Sequence, residues 1–406
     1  MQSGSTRRTF LGYGVGGTLA LPAVGTVAFE TARTPPDEPV LVVVQIRGGW
    51  DGLNMLIPAD DDAYGEARPR LAIRKADGLP VERHPELRWH PGMAAWRDLF
   101  DRGEVAVVRN VSHAYPDLSH FDSEAKWHTA DPVGGVRHEG WLTRLLRAFE
   151  RGEADEFAAI TVEPWPTQSL AGRASPAFTS VQQMALLRAP TEVRVGTDAP
   201  PLVRRVAEAM QRAMTTSQRL VAVGADYRAV GKYPDDAFAA QLSTVARLLV
   251  GGLRTRVFHL QTGGFDTHSQ QCEPGRPCVG FFADYLRGVC DAVRAFHDDM
   301  RHYGLHRRVV VLVHSEFGRT LHENAVLGTE HGHGAPVFLI GAGVVGGMHG
   351  SAPDLAAMRA NGDAAGIPFD ERAVDFRSIY TTIAERWFGV PGEVVVHGHF
   401  PTTGAL

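Results

Sequence analysis

The run Val40-Leu-Val-Val-Val-Gln-Ile46 passes directly into Arg47-Gly-Gly-Trp-Asp51-Gly-Leu-Asn54. A β-branched stretch without polar alternation belongs to a strand buried on both faces, and such strands are typically parallel with helices on either side. The loop behind it is rich in glycine and carries a carboxylate. The arrangement recurs. Residues 105–111 lead to Ser112-His-Ala-Tyr-Pro-Asp-Leu-Ser119-His120-Phe121-Asp122, residues 256–261 to Thr262-Gly-Gly-Phe-Asp266-Thr-His268, and residues 308–314 to Ser315-Glu316-Phe-Gly-Arg319. A fifth run, 335–341, has its polar loop in front, Gly328-Thr-Glu-His331-Gly-His333-Gly.

Between these runs, residues 94–102, 121–129, 141–151, 202–222, 237–253, 281–303 and 376–387 place apolar residues at i, i+3 and i+4, the helical period. Strand and helix alternate, which predicts an α/β fold with a mostly parallel central sheet flanked by helices. Open sheets of this class bind ligands at the carboxyl ends of their strands, where four of the five polar loops lie. The fifth enters its strand and reaches the same edge only by folding back. Residues 60–90 and 160–200 show no period and read as covering loops. One domain over residues 36–406 accommodates all of this.

The N-terminus reads differently. Arg7-Arg8 precede an uncharged, glycine-rich apolar stretch that ends in small residues near Ala28, followed by a proline-rich linker. Paired arginines before a modest apolar segment are the layout of a twin-arginine export signal, so residues 1–35 are expected to be signal and linker, and the mature protein periplasmic or extracellular. No interior apolar run reaches the roughly 20 residues of a membrane span, so no membrane span is expected in the mature chain. A net charge of −5 excludes the basic footprint of a general nucleic-acid binder. In an exported protein Cys272 and Cys278, at the two ends of a turn-rich loop, are expected to form a disulfide, with Cys290 a buried thiol on a helix.

The 18 histidines against 8 tyrosines point mildly to site chemistry, since imidazole is the commonest metal ligand. Gathered at one sheet edge, Asp51, Asp266, His268, Glu316, His331 and His333 form a candidate site for a divalent metal, one or two ions. Mixed nitrogen and oxygen ligands suit Zn, Mn or Fe, and all-oxygen ligands suit Mg or Ca. Ser119 precedes a helix whose free amides favour an anionic oxygen, which makes it a candidate nucleophile, although Ser119-His-Phe-Asp122 is equally an N-cap pattern. Ser123 lies one turn inside and is a poorer candidate. Arg319 and Asn54 are candidates to hold non-bridging ester oxygens, the arginine by its bidentate fork.

Arg47–Asn54, Ser119-His-Phe121, Gly263–His268, Ser315–Thr320 and Gly328–Gly332 together resemble, in order, the motifs of the bacterial family known as domain of unknown function 1501. That family resembles the alkaline phosphatase and sulfatase superfamily. The resemblance implies an alkaline-phosphatase-like fold, with Asp51 as the first-strand ligand. It also implies Asp266 and His268 on one metal, Glu316 on another and His331 as a late histidine ligand. Asp-Thr-His stands where the superfamily has Asp-x-x-x-His, and Ser-Glu where it has Asp-His, so one metal or two stays open. No Ser-x-Pro-x-Arg sulfatase motif occurs. The expected function is metal-dependent hydrolysis or transfer of a phosphate or sulfate ester, on a small-molecule or glycan substrate. The alternative is a non-catalytic exported binding or assembly factor that keeps the fold and a structural metal.

Overall fold

The computed structural model describes residues 38–133, 139–150, 152, 155–181, 196, 199–360 and 372–406. The export segment expected at 1–35 lies outside them. Besides a small three-stranded sheet of Leu56–Ile57, Leu79–Pro80 and Arg88–Trp89, the strands are β1 (Val40–Ile46), β2 (Val105–Ser112), β3 (Ala159–Thr161), β4 (Val257–Thr262), β5 (Val309–Ser315), β6 (Gly318–Glu323), β7 (Thr329–Gly332), β8 (Ala335–Ile340), β9 (Gly347–His349) and β10 (Val374–Asp375). The main sheet runs β9-β2-β8-β5-β1-β4-β3, with β10 also beside β2. Strand β1 is parallel to both neighbours, in register Val43 with His259 and Leu312.

Both faces of β1 are buried, which explains its unbroken apolar run. Val40, Val42, Val44 and Ile46 enter one core, and Leu41 and Val43 enter the other. The first core is closed by helices α1 (Ala94–Phe100), α5 (Ala237–Val250) and α6 (Phe281–His302). The second is closed by α2 (His120–Thr129), α3 (Trp141–Phe149) and α7 (Phe376–Thr382). A further helix, α4 (Pro201–Ala222), sends only Leu220 into the first core. Where the helical period continues past α7, the chain loosens into a π-helical stretch, Ile383–Phe388.

Two features depart from the sequence reading. Strand β8 is antiparallel to both β5 and β2. After β5 the chain forms a separate hairpin, β6 against β7, with His331 opposite Arg319. The hairpin brings the chain back to the edge it left, so β8 must run the other way. Cys272 and Cys278 are free thiols, not a disulfide, and Cys290 is a buried thiol on α6. Their loop is already closed by backbone bonds, Glu273 N–H to the Val279 carbonyl at 2.8 Å and Arg276 N–H to the Glu273 carbonyl at 2.9 Å.

Candidate metal centre

The loops after β1, β4 and β5 are stacked backbone on backbone, and this is why they need glycine. Gly48 has φ +115°, and a Cβ there would stand 2.4 Å from the Asp266 amide nitrogen. Gly328 lets the turn between β6 and β7 approach the His268 carbonyl, where a Cβ would meet it at 2.2 Å. The glycine-rich motifs thus set how closely the ionisable loops can meet.

Asp266 is the focus. Its Oδ1 lies 3.1 Å from His331 Nε2 and 3.0 Å from His268 Nε2, and its Oδ2 lies 3.4 Å from His120 Nε2. Ligand atoms of His120, Asp266 and His331 all fall within 4.8 Å of one another. Each histidine is oriented through its other nitrogen. His331 Nδ1 is 2.7 Å from the Leu118 carbonyl, His268 Nδ1 is 2.7 Å from Glu330 Oε2, and His120 Nδ1 is 2.7 Å from Glu316 Oε1. A carbonyl or carboxylate can only accept, so all three Nδ1 atoms carry the proton. Their Nε2 lone pairs then face Asp266, and those of His268 and His331 face each other at 2.9 Å. Arg319 already donates to Asp266, but between the facing Nε2 atoms of two neutral rings a further proton or a cation is still needed.

A divalent cation fits that requirement. Ligands held at about 2.0–2.1 Å in a tetrahedron stand roughly 3.3 Å apart. The spacings to Asp266 Oδ1, 3.0 Å from His268 and 3.1 Å from His331, are near that value, and His120 stands 3.4 Å from the other oxygen, Oδ2. The oriented imidazoles are the arrangement that metal-binding histidines adopt, the outer partner fixing tautomer and ring direction. Imidazole with one carboxylate favours Zn, Mn or Fe over Mg or Ca.

The electrostatics follow from the same contacts. Partial burial pushes Asp266 up, but the Arg319 guanidinium at 2.5 Å and the histidines bring its pKa down to about 2. The hydrogen bond to Glu316 raises His120 above its ordinary value, against the opposing effect of burial. Burial would raise Glu316, yet His120 and the Gly48 N–H hold it below the usual glutamate range. Glu316 is therefore an ionised, wholly buried group behind His120 rather than a member of the cluster.

The other expected site residues lie outside the cluster or, as Arg319 does, brace it. The Asp51 carboxylate is buried and engaged by Arg68 Nη1 at 2.7 Å and Gln271 Nε2 at 2.7 Å, and its Oδ1 caps the Asn54 amide. No histidine reaches it among the described residues. Asn54 is buried, accepting from Tyr64 and Arg68 and donating to the Leu71 carbonyl. Arg319 is buried and spends its guanidinium on the carbonyls of Gly48, Gly49, Phe265 and Thr329 and on Asp266. It ties the loops together. His333 is half-buried, and burial lowers its pKa; it is not in the cluster. Ser119 is the N-cap of α2, accepting from the Asp122 amide at a long 3.4 Å. Ser123 instead donates to the Asp117 carbonyl.

His120 was not singled out from the sequence as a ligand. The signal was present in Ser119-His-Phe121, where attention falls on the serine because hydroxyls cap helices. The first helical residue, one position on, carries the imidazole into the cluster.

The chain belongs to the family described as protein of unknown function DUF1501, which matches it over residues 108–397. No curated protein matches the sequence. Among solved structures the chain is similar to the PsFucS1 sulfatase from Pseudoalteromonas sp., at 12% identity and TM-score 0.40, over 90% of this chain and 70% of that one. It is similar to Ps i-CgsB in complex with k-i-k-neocarrahexaose, at 11% and 0.42, over 90% and 75%. It is also similar to the phosphonate monoester hydrolase of Agrobacterium radiobacter, at 8% and 0.37, over 89% and 78%.

Proposed function

We propose that this family member is an exported hydrolase, or transferase, of phosphate or sulfate esters that works with a divalent cation held by Asp266, His120, His268 and His331. One observation carries the reading. The Nε2 atoms of His268 and His331 meet 2.9 Å apart beside an ionised aspartate, with both Nδ1 protons committed elsewhere. Bound there, a divalent cation supplies a Lewis acid that neutralises charge on ester oxygens. Glu316, Glu330 and the Leu118 carbonyl keep the three rings aimed, and Arg319 fixes the loop that carries Asp266. The cluster is partly open, with 48% of the Asp266 side chain exposed, so an ester can approach it. Ser119 remains the candidate nucleophile, and attack requires it to give up its long capping contact. The substrate class is a small-molecule or glycan ester.

Elemental analysis of wild type and His331→Ala, with assays on aryl sulfates, phosphate monoesters and phosphonate esters, tests this. Bound metal and ester turnover in wild type, both lost in the variant, are expected; metal-free protein that cannot be reconstituted contradicts it. Ser119→Ala separates the roles of that residue, since a cap alone leaves turnover intact. Export is tested by fractionating Arg7→Lys with Arg8→Lys, which should stay in the cytoplasm.

One observation favours a non-catalytic binding role. The groups expected to grip ester oxygens, Arg319 and Asn54, are engaged within the protein. Full metal occupancy without turnover of any ester tried would support that reading.

A further inference from the structure

Away from the histidine cluster, a cavity of about 620 Å³ opens between the loop after β1, the middle of β2, the start of β8 and residues 352–359. None of His120, Asp266, His268 or His331 lines it. Its walls combine an apolar part, Leu53, Leu56, Leu87, Pro336 and Leu355, with a charged part in which Asp60, Asp61, Asp62, Glu66 and Glu86 face the cavity beside Arg109 and Arg359. Arg109 and Asn110 both line the cavity although they are consecutive on a strand. In a regular strand, neighbours point to opposite faces. Here the pairing of β2 with β8 slips at a bulge between Ala335 and Val337, and Asn110 takes φ +50°, a left-handed conformation. A bulge re-aims a side chain, and a strained non-glycine residue inside a strand persists only when its surroundings enforce it.

Neither polar group is satisfied within the protein. Asn110 is 3% exposed, and its Oδ1 has no partner among the described residues. Arg109 donates to the Gly350 carbonyl at 2.7 Å, but its buried Nε has no partner there. Burial lowers its pKa and Glu86 opposes that only in part, so its charge is left undercompensated. A buried acceptor without a donor is costly, and a ligand donor removes that cost. Of the lining carboxylates, Asp60 pairs with Lys75, Glu66 with Arg359 and Glu86 with His84, and Asp61 caps the Ala63 amide.

We infer that this cavity is a second binding site, for a monocarboxylate with an apolar body and a hydrogen-bond donor next to the carboxylate, as in an N-acylated leucine. The carboxylate sits on Arg109, the adjacent N–H donates to Asn110 Oδ1, and the apolar body fills the leucine- and proline-lined wall. Polyanions are disfavoured by the acidic rim. The same chemistry is offered by a free N-acyl amino acid and by the end of a peptide.

Isothermal titration of the full-length protein with N-hexanoyl-leucine, its primary amide and the peptide Gly-Gly-Ala-Leu tests the site. Saturable binding of an acid, at least tenfold tighter than the amide, is expected, and the tighter of the two acids names the source. Arg109→Gln should abolish the preference for acid over amide. Asn110→Gly, which keeps the backbone conformation, should weaken acid and amide alike by about tenfold. Binding should persist in His331→Ala, which keeps the result independent of the metal centre. No saturable binding of either acid, or equal affinity for acid and amide, overturns the inference.

Discussion

Arg68 Nη1 and Asp51 Oδ2 form an ion pair at 2.7 Å in which both side chains are all but sealed from solvent, at 0% and 1% exposure. The guanidinium also reaches the carbonyls of Thr320 and Leu321, so one arginine joins the first strand's loop to the hairpin. Removing one partner of a buried pair strands the other and costs about 3–5 kcal/mol. Arg68→Met and Asp51→Asn should therefore lower the urea midpoint sharply. Metal content of the surviving folded protein should remain full, because Asp51 is not among the clustered ligands. Loss of metal in Asp51→Asn without loss of stability would place the carboxylate back at the centre.

The outer partners of the histidines predict graded effects. His120→Ala or His331→Ala removes a proposed ligand and should lower metal affinity by orders of magnitude. Glu330→Gln leaves all ligands but weakens the orientation of His268, and such changes typically cost 10–100-fold. Titration against a competing chelator measures both. Equal losses for Glu330→Gln and His331→Ala would contradict the assignment of roles.

Acid sensitivity follows from histidines away from the centre. Burial holds His90 and His113 near pKa 4, and His314 near 3, against 6.5 when exposed. Between pH 6.5 and about 4 the unfolded chain binds more protons than the folded one, so stability falls as pH falls. Each group contributes up to about 1.4 kcal/mol per pH unit within that window. Urea midpoints at pH 7.5, 6.0, 5.0 and 4.5 should drop steadily, most steeply below pH 6. A flat profile would mean that these imidazoles are not buried and neutral.

Gly48→Ala should damage both fold and site. Its φ of +115° strains any side chain, and the Cβ would press on the Asp266 amide. A loss of about 1–3 kcal/mol from the backbone alone is expected, with further loss from displacement of the loop. Reduced metal content in the folded fraction would show that Asp266 has moved. Unchanged stability would show that the loops tolerate a wider separation.

The central strands were legible because a strand buried on both faces leaves an unbroken apolar run, and β1 occupies the expected positions. The direction of β8 was not, since its apolar residues read alike whichever way the chain passes. Asp266, His268 and His331 were legible as ionisable groups in glycine-rich loops. Asp51 looked the same, and what distinguishes it is Arg68. That residue sits in a stretch with no period, so nothing in the sequence announces a buried cation 17 positions away. Arg319 was read as a substrate fork; the same fork geometry suits backbone carbonyls, and only tertiary packing decides between them.

The ties that aim the histidines have a consequence for how the molecule forms. His331 is fastened to Leu118 across 213 positions, and His120 to Glu316 across 196. Both ties need residues from the two halves of the chain in place together. The centre therefore cannot assemble on a chain that lacks either Leu118–His120 or Glu316–His331. Cation occupancy therefore counts finished molecules: a chain stalled with β8 undocked has no ligand set to offer, and a cation that binds only the completed arrangement holds it closed by mass action.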